Sequence, residues 1–299
     1  MPILKDGTQI SARDMTPEQY EEWLNKFSET LKTSDDTFTP ANVYKTVYEW
    51  ADKHYHISGR PIERPFYPGG DYRNYKYRKN CVVVDNPPFS ILTKIIDFYI
   101  ENKIDFFIWC PHLTSLQYIV KGVTLVIADA PVIYSNGARI ATGWLTNLDE
   151  ENAVVCSNEL RLTLEQCNID NKKQFDCGKS NHLTNYSYPP ELLRVGVLNQ
   201  LGKRCEYAIP RDQVYLKEVV RTTDAQKEYN RVNKKKQSVY GGGFWISPAE
   251  AERIQKTIKE NKIKRLDKTE EEPGIVIKKS EREQAIIDSL KWKNDEKFK

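Results

Sequence analysis

Six consecutive residues, Asp85-Asn86-Pro87-Pro88-Phe89-Ser90, combine the side chains needed to hold an amino group for chemistry. The side-chain amide oxygen of Asn86 and the adjacent Pro87 carbonyl are two hydrogen-bond acceptors, and the proline rings hold the backbone between them rigid. Phe89 offers a flat face on which a base extruded from a duplex can stack. This motif therefore suits a reaction in which both hydrogens of an aromatic amine are held while an electrophile approaches in line.

The elements around the motif predict that it lies at the edge of a sheet. The apolar run from Cys81 to Val84 predicts a strand buried on both faces, and Ile104–Cys110 predicts a second. Between them, Ile91–Asn102 has the apolar periodicity of a helix. This strand-helix-strand order implies parallel strands with a right-handed crossover. Residues Asp85–Ser90 would then lie at the carboxyl edge, where α/β sheets bind ligands.

Flanking segments extend this predicted sheet. Val123–Ala128 is a further strand candidate, and Ile133–Ile140 places Asn136-Gly137 between apolar flanks, which is a strong hairpin signal. Before the motif, Thr39-Pro40 predicts the start of a helix that continues to His54, with the Thr39 hydroxyl as its cap. We therefore expect an α/β protein with a mostly parallel sheet that ends in an antiparallel hairpin.

The motif resembles the D/N/S-P-P-Y/F/W motif of DNA methyltransferases that act on amino groups, and residues 35–150 resemble the EcoRI-type adenine-specific methyltransferases. The resemblance implies a Rossmann-like fold that uses S-adenosylmethionine, base flipping, and methyl transfer to adenine N6 in double-stranded DNA, as in restriction-modification systems. Because the sulfonium donor is a strong electrophile, positioning can replace a strong general base. The implied catalytic residues are Asn86, Pro87, Pro88 and Phe89. The structural alternative is that the prolines only end a strand and Phe89 packs into the core.

The same resemblance implies a cofactor site. Phe38-Thr39-Pro40 is similar to the element beside the methionine end of the cofactor, and Pro65-Phe66 is similar to the start of the cofactor loop. Gly70-Asp71-Tyr72 is similar to the G-D-F element, in which Asp71 would accept from the cofactor's adenine amine and Tyr72 would stack on the ring. Asp71 and Asn86 are 15 positions apart, about the spacing of the family. The implied cofactor-binding residues are Phe38, Thr39, Pro40, Pro65, Phe66, Gly70, Asp71, Tyr72 and Asn86.

The cofactor half departs from the common pattern, because only six residues separate Pro65 from Asp71. We expect this half of the sheet to be abbreviated, or filled by the helix that starts at Pro40. The pattern assigns no acid to the cofactor ribose, since Glu63 and Asp71 are the only acids nearby. On residues alone, the segment around Asp71 is equally typical of a Pro-Gly-Gly-Asp turn.

Basic residues are dense between positions 211 and 236, within an irregular region that follows the predicted sheet. A basic stretch after such a motif favours phosphate contacts in a target-recognition region, although a charged helix is more often a solvated face. We divide the chain into an N-terminal extension (1–35), a catalytic domain (36–150), a target-recognition region (151–250) and a charged helical tail (251–299). The predicted DNA contacts are Ser90, Arg221, Arg231, Lys234, Lys235 and Lys236.

Composition limits the remaining function classes. The chain has 299 residues, a net charge of only +3 and 29% charged residues, which indicate a water-facing globular protein. It contains no apolar run of membrane-spanning length and no signal-peptide layout, so we expect a cytoplasmic protein with no membrane partner. The six scattered cysteines indicate neither a metal site nor a disulfide framework. We also expect a monomer.

Two other segments could carry chemistry. Cys110-Pro111-His112 contains a nucleophile and a base, but side chains two residues apart at a strand end usually point in different directions. Gly241-Gly242-Gly243 could cradle a phosphate, although it lacks the lysine and hydroxyl of a P-loop and is more typical of a hinge or tight turn.

Two other functions compete with DNA methylation. One is methylation of glutamine N5 in a protein, since the same motif can hold a side-chain amide. The missing full glycine-rich loop and the basic region argue against it. The other is a catalytically silent DNA-binding relative, in which the abbreviated cofactor half no longer binds S-adenosylmethionine.

Overall fold

The computed structural model describes residues 15–25, 39–67, 70–134, 138–172, 186–234, 238–239, 241–261 and 275–290. Within these residues, three short 3-10 helices cover Phe89–Ile91, Ser115–Lys121 and Arg211–Gln213. The α-helices are α1 (Pro17–Asn25), α2 (Ala41–Tyr55), α3 (Leu92–Glu101), α4 (Asn158–Lys172), α5 (Val195–Gly202), α6 (Asp224–Asn233), α7 (Pro248–Glu260) and α8 (Glu281–Ser289).

Twelve strands form one large sheet and two small ones in the described part of the chain. The strands are β1 (Ile62–Glu63), β2 (Val82–Asp85), β3 (Asp105–Pro111), β4 (Thr124–Ile127), β5 (Pro131–Ile133), β6 (Arg139–Thr146), β7 (Asn152–Cys156), β8 (Tyr186–Ser187), β9 (Leu192–Arg194), β10 (Tyr207–Pro210), β11 (Gly243–Trp245) and β12 (Ile275–Val276).

The large sheet has eight strands in the order β1-β2-β3-β6-β4-β7-β10, with β5 paired to β6. Six of these strands run in one direction, and only β6 and β10 run against them. The predicted α/β class with a mostly parallel sheet is confirmed, and this mixed sheet is compatible with a Rossmann-like fold. The antiparallel hairpin is also confirmed as β5 and β6, although its predicted Asn136-Gly137 turn lies outside the described residues.

The strand-helix-strand unit around the motif agrees with its predicted bounds to within one residue. β2 pairs in parallel with β3, so Asp85 lies beside Ile108. Every residue of β2 is buried. Val83 faces the core cluster that contains the apolar residues of α3, α5 and α7, whereas Val82 and Val84 face the cluster that contains those of α2 and α4. The uninterrupted apolar run is therefore explained by helices on both faces of the sheet.

The sheet continues past residue 150, the predicted end of the catalytic domain. β7 pairs in parallel with β4, and β10 pairs antiparallel with β7. At the other end, β1 is the edge strand of the described sheet and has only two residues. On this side the described sheet therefore ends in a single two-residue strand, and the abbreviation of the cofactor half stays a prediction.

The remaining strands belong to the carboxyl-terminal part of the chain and form the two small sheets. β9 pairs with β11, and β8 pairs with β12. A separate apolar cluster joins β9, β11 and α8 through Leu192, Trp245 and Ile287. In the described residues, no helix combines the length and apolar character needed to cross a membrane.

Candidate active site

The motif forms the connection between β2 and α3 at the carboxyl edge of the sheet. Pro87 is buried, Asn86, Pro88 and Phe89 are partly buried, and Ser90 is exposed. Phe89 starts a 3-10 turn and packs against the apolar cluster beneath α2. Part of its ring surface thus has the core-packing role that the structural alternative predicted, while the rest stays accessible.

Asp85 ties the motif to the neighbouring strand end. Its Oδ2 accepts a hydrogen bond from the Phe66 backbone N–H at 2.9 Å, and its Oδ1 accepts one from the Asn86 N–H at 3.0 Å. β1 and β2 are adjacent parallel strands, so the segments that follow them leave the sheet side by side. One buried carboxylate therefore holds the predicted cofactor loop and the predicted catalytic turn together.

Arg64 supplies the positive charge for this buried carboxylate. Its Nε lies 3.8 Å from Asp85 Oδ1, and both side chains are less than a tenth exposed. The guanidinium lies between the rings of Tyr20 and Tyr44, 3.4 Å and 3.9 Å from their centroids. Two such cation–π contacts stabilise a desolvated arginine. We call Asp85, Arg64, Tyr20 and Tyr44 the carboxylate clamp.

Burial raises the pKa of Asp85 to about 6, against the opposing effects of Arg64 and the two backbone N–H groups. Burial also raises the pKa of Tyr44 to about 12, so its hydroxyl stays protonated and donates to the Val84 carbonyl at 3.0 Å. The Tyr20 hydroxyl donates to the Phe66 carbonyl at 3.2 Å. The clamp thus contacts both segments through α1 and α2.

The start of α2 lies next to the clamp, because Pro40 is one helical turn before Tyr44. The predicted capping role of Thr39 is wrong. Pro40 occupies the N-cap position, and Glu21 of α1 accepts from the Ala41 N–H at 2.7 Å. The buried Thr39 hydroxyl has no hydrogen-bond partner among the described residues. Phe38 lies outside the described residues.

Pro65 and Gly70, which follow β1, pack closely against each other. Pro65 is buried, and Gly70 is packed so closely that a Cβ atom would lie 2.6 Å from the Pro65 carbonyl oxygen. Tyr72 is buried and packs edge-on against Phe98 of α3 at 5.3 Å. Tyr72 therefore packs the segment after β1 against α3.

The two acids considered for the cofactor are in different environments. Asp71 is exposed, and its carboxylate accepts from the Arg73 N–H and the Asn74 amide, which lowers its pKa. Asp71 thus begins a local turn that ends at Asn74, whereas Pro68 and Gly69 of the alternative Pro-Gly-Gly-Asp turn lie outside the described residues. Glu63 is fully buried and accepts from the Tyr75 hydroxyl and the Arg78 guanidinium, both at 2.7 Å. Glu63 thus stabilises the segment between β1 and β2, to which Tyr75 and Arg78 belong.

The predicted DNA contacts lie on several elements. Arg221 donates to Gln117 Oε1 at 2.9 Å, and Arg231 pairs with Glu228 on the same helix at 2.6 Å. Lys234 follows α6 in a left-handed conformation and is exposed. Lys235 and Lys236 lie outside the described residues.

The two other candidate segments are structural. Cys110 and His112 are buried, burial raises the pKa of the Cys110 thiol to about 12, and His112 Nε2 contacts Asn199 Oδ1 at 2.5 Å. Gly241 and Gly242 both have φ of +75°, so this segment is a tight turn. In the described part of the chain, no cluster of three His, Cys, Asp or Glu side chains could hold a metal ion.

Sequence reasoning missed Arg64 and Tyr20. A signal was available for the arginine, because a carboxylate directly after a fully buried strand needs a cationic partner, and Arg64 precedes the predicted cofactor loop. No comparable signal identified Tyr20, whose side chain contacts Arg64 and Phe66, 44 and 46 positions away.

No family model, curated protein or solved structure matches this chain. The geometry of the site therefore has no related protein with which it can be compared.

Proposed function

We propose that this chain transfers a methyl group from S-adenosylmethionine to adenine N6 in double-stranded DNA. The observation that carries the proposal is the Asp85 carboxylate, which accepts hydrogen bonds from both the predicted cofactor loop and the predicted catalytic turn. Two segments that the resemblance assigns to one reaction are thereby held together at the carboxyl edge of adjacent parallel strands.

On the substrate side, Asn86 Oδ1 and the Pro87 carbonyl would hold the two hydrogens of the adenine amine. Phe89, which is only partly buried, would face the flipped base. Fixing the amine in this way favours the geometry in which its nitrogen lone pair can react. One of the two hydrogens leaves as a proton when the new N–C bond forms, and solvent can accept it.

On the cofactor side, two features support binding of S-adenosylmethionine. The buried Thr39 hydroxyl, which lacks a partner among the described residues, is a polar atom that a ligand would satisfy. Pro65, Phe66, Gly70 and Tyr72 form a close-packed wall against which an adenine ring can lie. When bound, the cofactor supplies an electrophilic methyl group, which removes the need for a strong base.

The direct test is to incubate the full chain with S-adenosylmethionine labelled in the methyl group and with unmethylated duplex DNA. Label in N6-methyladenine is expected, and Asn86→Ala should reduce it at least about a hundredfold because one acceptor for the amine is lost. Lys94→Ala, at an exposed position of α3, is the matched control and should retain wild-type activity.

The same experiment separates the competing functions. Label in added protein instead of DNA would replace this proposal with glutamine methylation. An absence of cofactor binding by calorimetry, together with retained DNA binding, would identify a catalytically silent relative. The expectations of a monomer and of a cytoplasmic location stay predictions.

A further inference from the structure

Arg194 is a partly buried arginine with no acidic partner in the part of the chain that the structure describes. It ends β9 and directly precedes α5. Its guanidinium lies 4.5 Å from the centre of the Tyr188 ring, and its buried Nε has no hydrogen-bond partner in the described part of the chain. Burial lowers its pKa. Neither the motif nor the basic stretch predicted a functional role for Arg194.

An unpaired buried charge is costly. Arginine does not lose its proton in proteins, so it cannot escape the cost of desolvation by becoming neutral. Other arginines with buried acids nearby are paired, as Arg64 is with Asp85, Arg78 with Glu63 and Arg253 with Glu250. Arg194 therefore has the charge and the donors of an anion site for which the described residues supply no anion.

Two connections join the surroundings of Arg194 to the edge of the sheet that carries the motif. Arg194 pairs in register with Gly243 of β11. Just before β11, Gly241 packs so closely on the turn after β3 that a Cβ atom would lie 1.9 Å from the Leu113 carbonyl oxygen. On the other side, Asn199 of α5 contacts His112, which also follows β3. β3 is the neighbour of β2, which ends at the motif.

We infer that Arg194 binds a phosphate group of the DNA backbone, and this rests on the proposed function. A phosphate compensates the partly buried positive charge, whereas a neutral base edge does not. The planar guanidinium can donate two parallel N–H bonds to phosphate oxygens while its face remains on Tyr188. The arginine is thus oriented before DNA arrives, which reduces the entropy lost on binding.

The test measures binding of short fluorescent duplexes of several sequences by the full chain, by anisotropy over a series of salt concentrations. Arg194→Gln is expected to weaken binding about tenfold for every sequence and to reduce the slope of log affinity against log salt by about 0.9, the value for one phosphate contact. Arg194→Lys should bind with intermediate affinity because it keeps the charge without the planar donors.

Two controls separate a binding role from a structural one. Arg282→Gln removes one positive charge from an exposed pair with Glu218 and should leave duplex affinity nearly unchanged. Thermal unfolding of Arg194→Gln should occur at or above the wild-type temperature, because the substitution removes a partly desolvated charge that has no acidic partner among the described residues. A lower unfolding temperature together with weaker binding would make Arg194 structural and overturn the inference.

The remaining outcomes are also decisive. Equal affinity of Arg194→Gln and wild type would refute the role of Arg194 and leave the proposed function standing. Weaker binding confined to one duplex sequence would indicate base readout and overturn the phosphate assignment. If the wild-type chain binds no duplex at all, the proposed function fails and this inference fails with it.

Discussion

The carboxylate clamp and helix α6 use charge in opposite ways. In α6, Lys227 pairs with Asp224 and Arg231 pairs with Glu228, each three positions away and with both cations more than half exposed. In the clamp, Asp85 is buried and its partners Arg64 and Phe66 are 21 and 19 positions away in the sequence. The pairs of α6 can be read from helical spacing, whereas those of the clamp depend on how distant segments meet.

This difference has an energetic consequence. Exposed ion pairs are screened by water and salt and contribute little to stability. A buried carboxylate that loses its partner remains desolvated and uncompensated, so the cost of disruption is large. We therefore expect substitutions in the clamp to change folding and activity together, and those in α6 to change neither folding nor the arrangement of the motif.

The largest effect is expected for Arg64→Met, which keeps the apolar volume between Tyr20 and Tyr44 but leaves Asp85 without a cation. The free energy of unfolding should fall by about 3–5 kcal/mol, as measured by urea denaturation. The double variant with Asp85→Asn should recover most of this loss, because the uncompensated charge is gone. A single variant within about 1 kcal/mol of wild type would mean that the pair does not stabilise the clamp.

The second effect concerns pH. Above a pH of about 6 the Asp85 carboxyl is ionised and both oxygens accept hydrogen bonds, whereas below it one oxygen carries a proton. Methyl transfer should therefore fall roughly tenfold per unit as the pH drops below 6. In Asp85→Asn this acid limb should disappear, and an unchanged limb would assign it to another group.

The stability linked to Asp85 should change in the opposite direction. Its folded-state pKa is raised, so its contribution is fully present below the unfolded value of about 4 and is lost as the pH rises through about 6. Lowering the pH from 7 to 5 should thus reduce the activity without reducing the contribution of Asp85 to stability. Circular dichroism of wild type and Asp85→Asn over the same pH range would show whether the two effects separate.

A smaller effect is expected for Tyr20→Phe, which removes the hydrogen bond to the Phe66 carbonyl but keeps the ring on Arg64. The free energy of unfolding should fall by about 0.5–1.5 kcal/mol. Tyr48→Phe is the matched control, because Tyr48 lies on α2 outside the clamp and is only partly buried. If both variants unfold alike, α1 does not hold the segment after β1 through this hydroxyl.

The smallest effect is expected for the folding stability of Arg231→Gln. Its pair with Glu228 is exposed and local, so the unfolding temperature at physiological salt should equal that of wild type within error. Thermal unfolding at low and high salt checks this expectation. A decrease of several degrees would mean that α6 depends on its surface charges and would remove the contrast with the clamp.

Local patterns predicted the positions of most elements around the motif. β2, α3, β3 and the hairpin follow from apolar runs, helical periodicity and a turn signal, because these depend on neighbouring residues. The same reasoning misassigned Thr39, since the cap of α2 comes from Glu21 across a stretch of chain with no local relation to it. It also missed that the sheet continues into β7 and β10, which join it only through long-range pairing.

The sequence by itself determined the motif, the buried strand before it and their position at a carboxyl edge, because residue type and spacing decide these features locally. Only the tertiary structure decided that Asp85 joins Phe66 to Asn86, that α1 contributes Tyr20 beside the motif, and that Arg194 lacks an acid among the described residues. Each of these depends on which distant segments share a low-dielectric interior. Burial and pairing of charge are properties of that packing and not of any short stretch of chain.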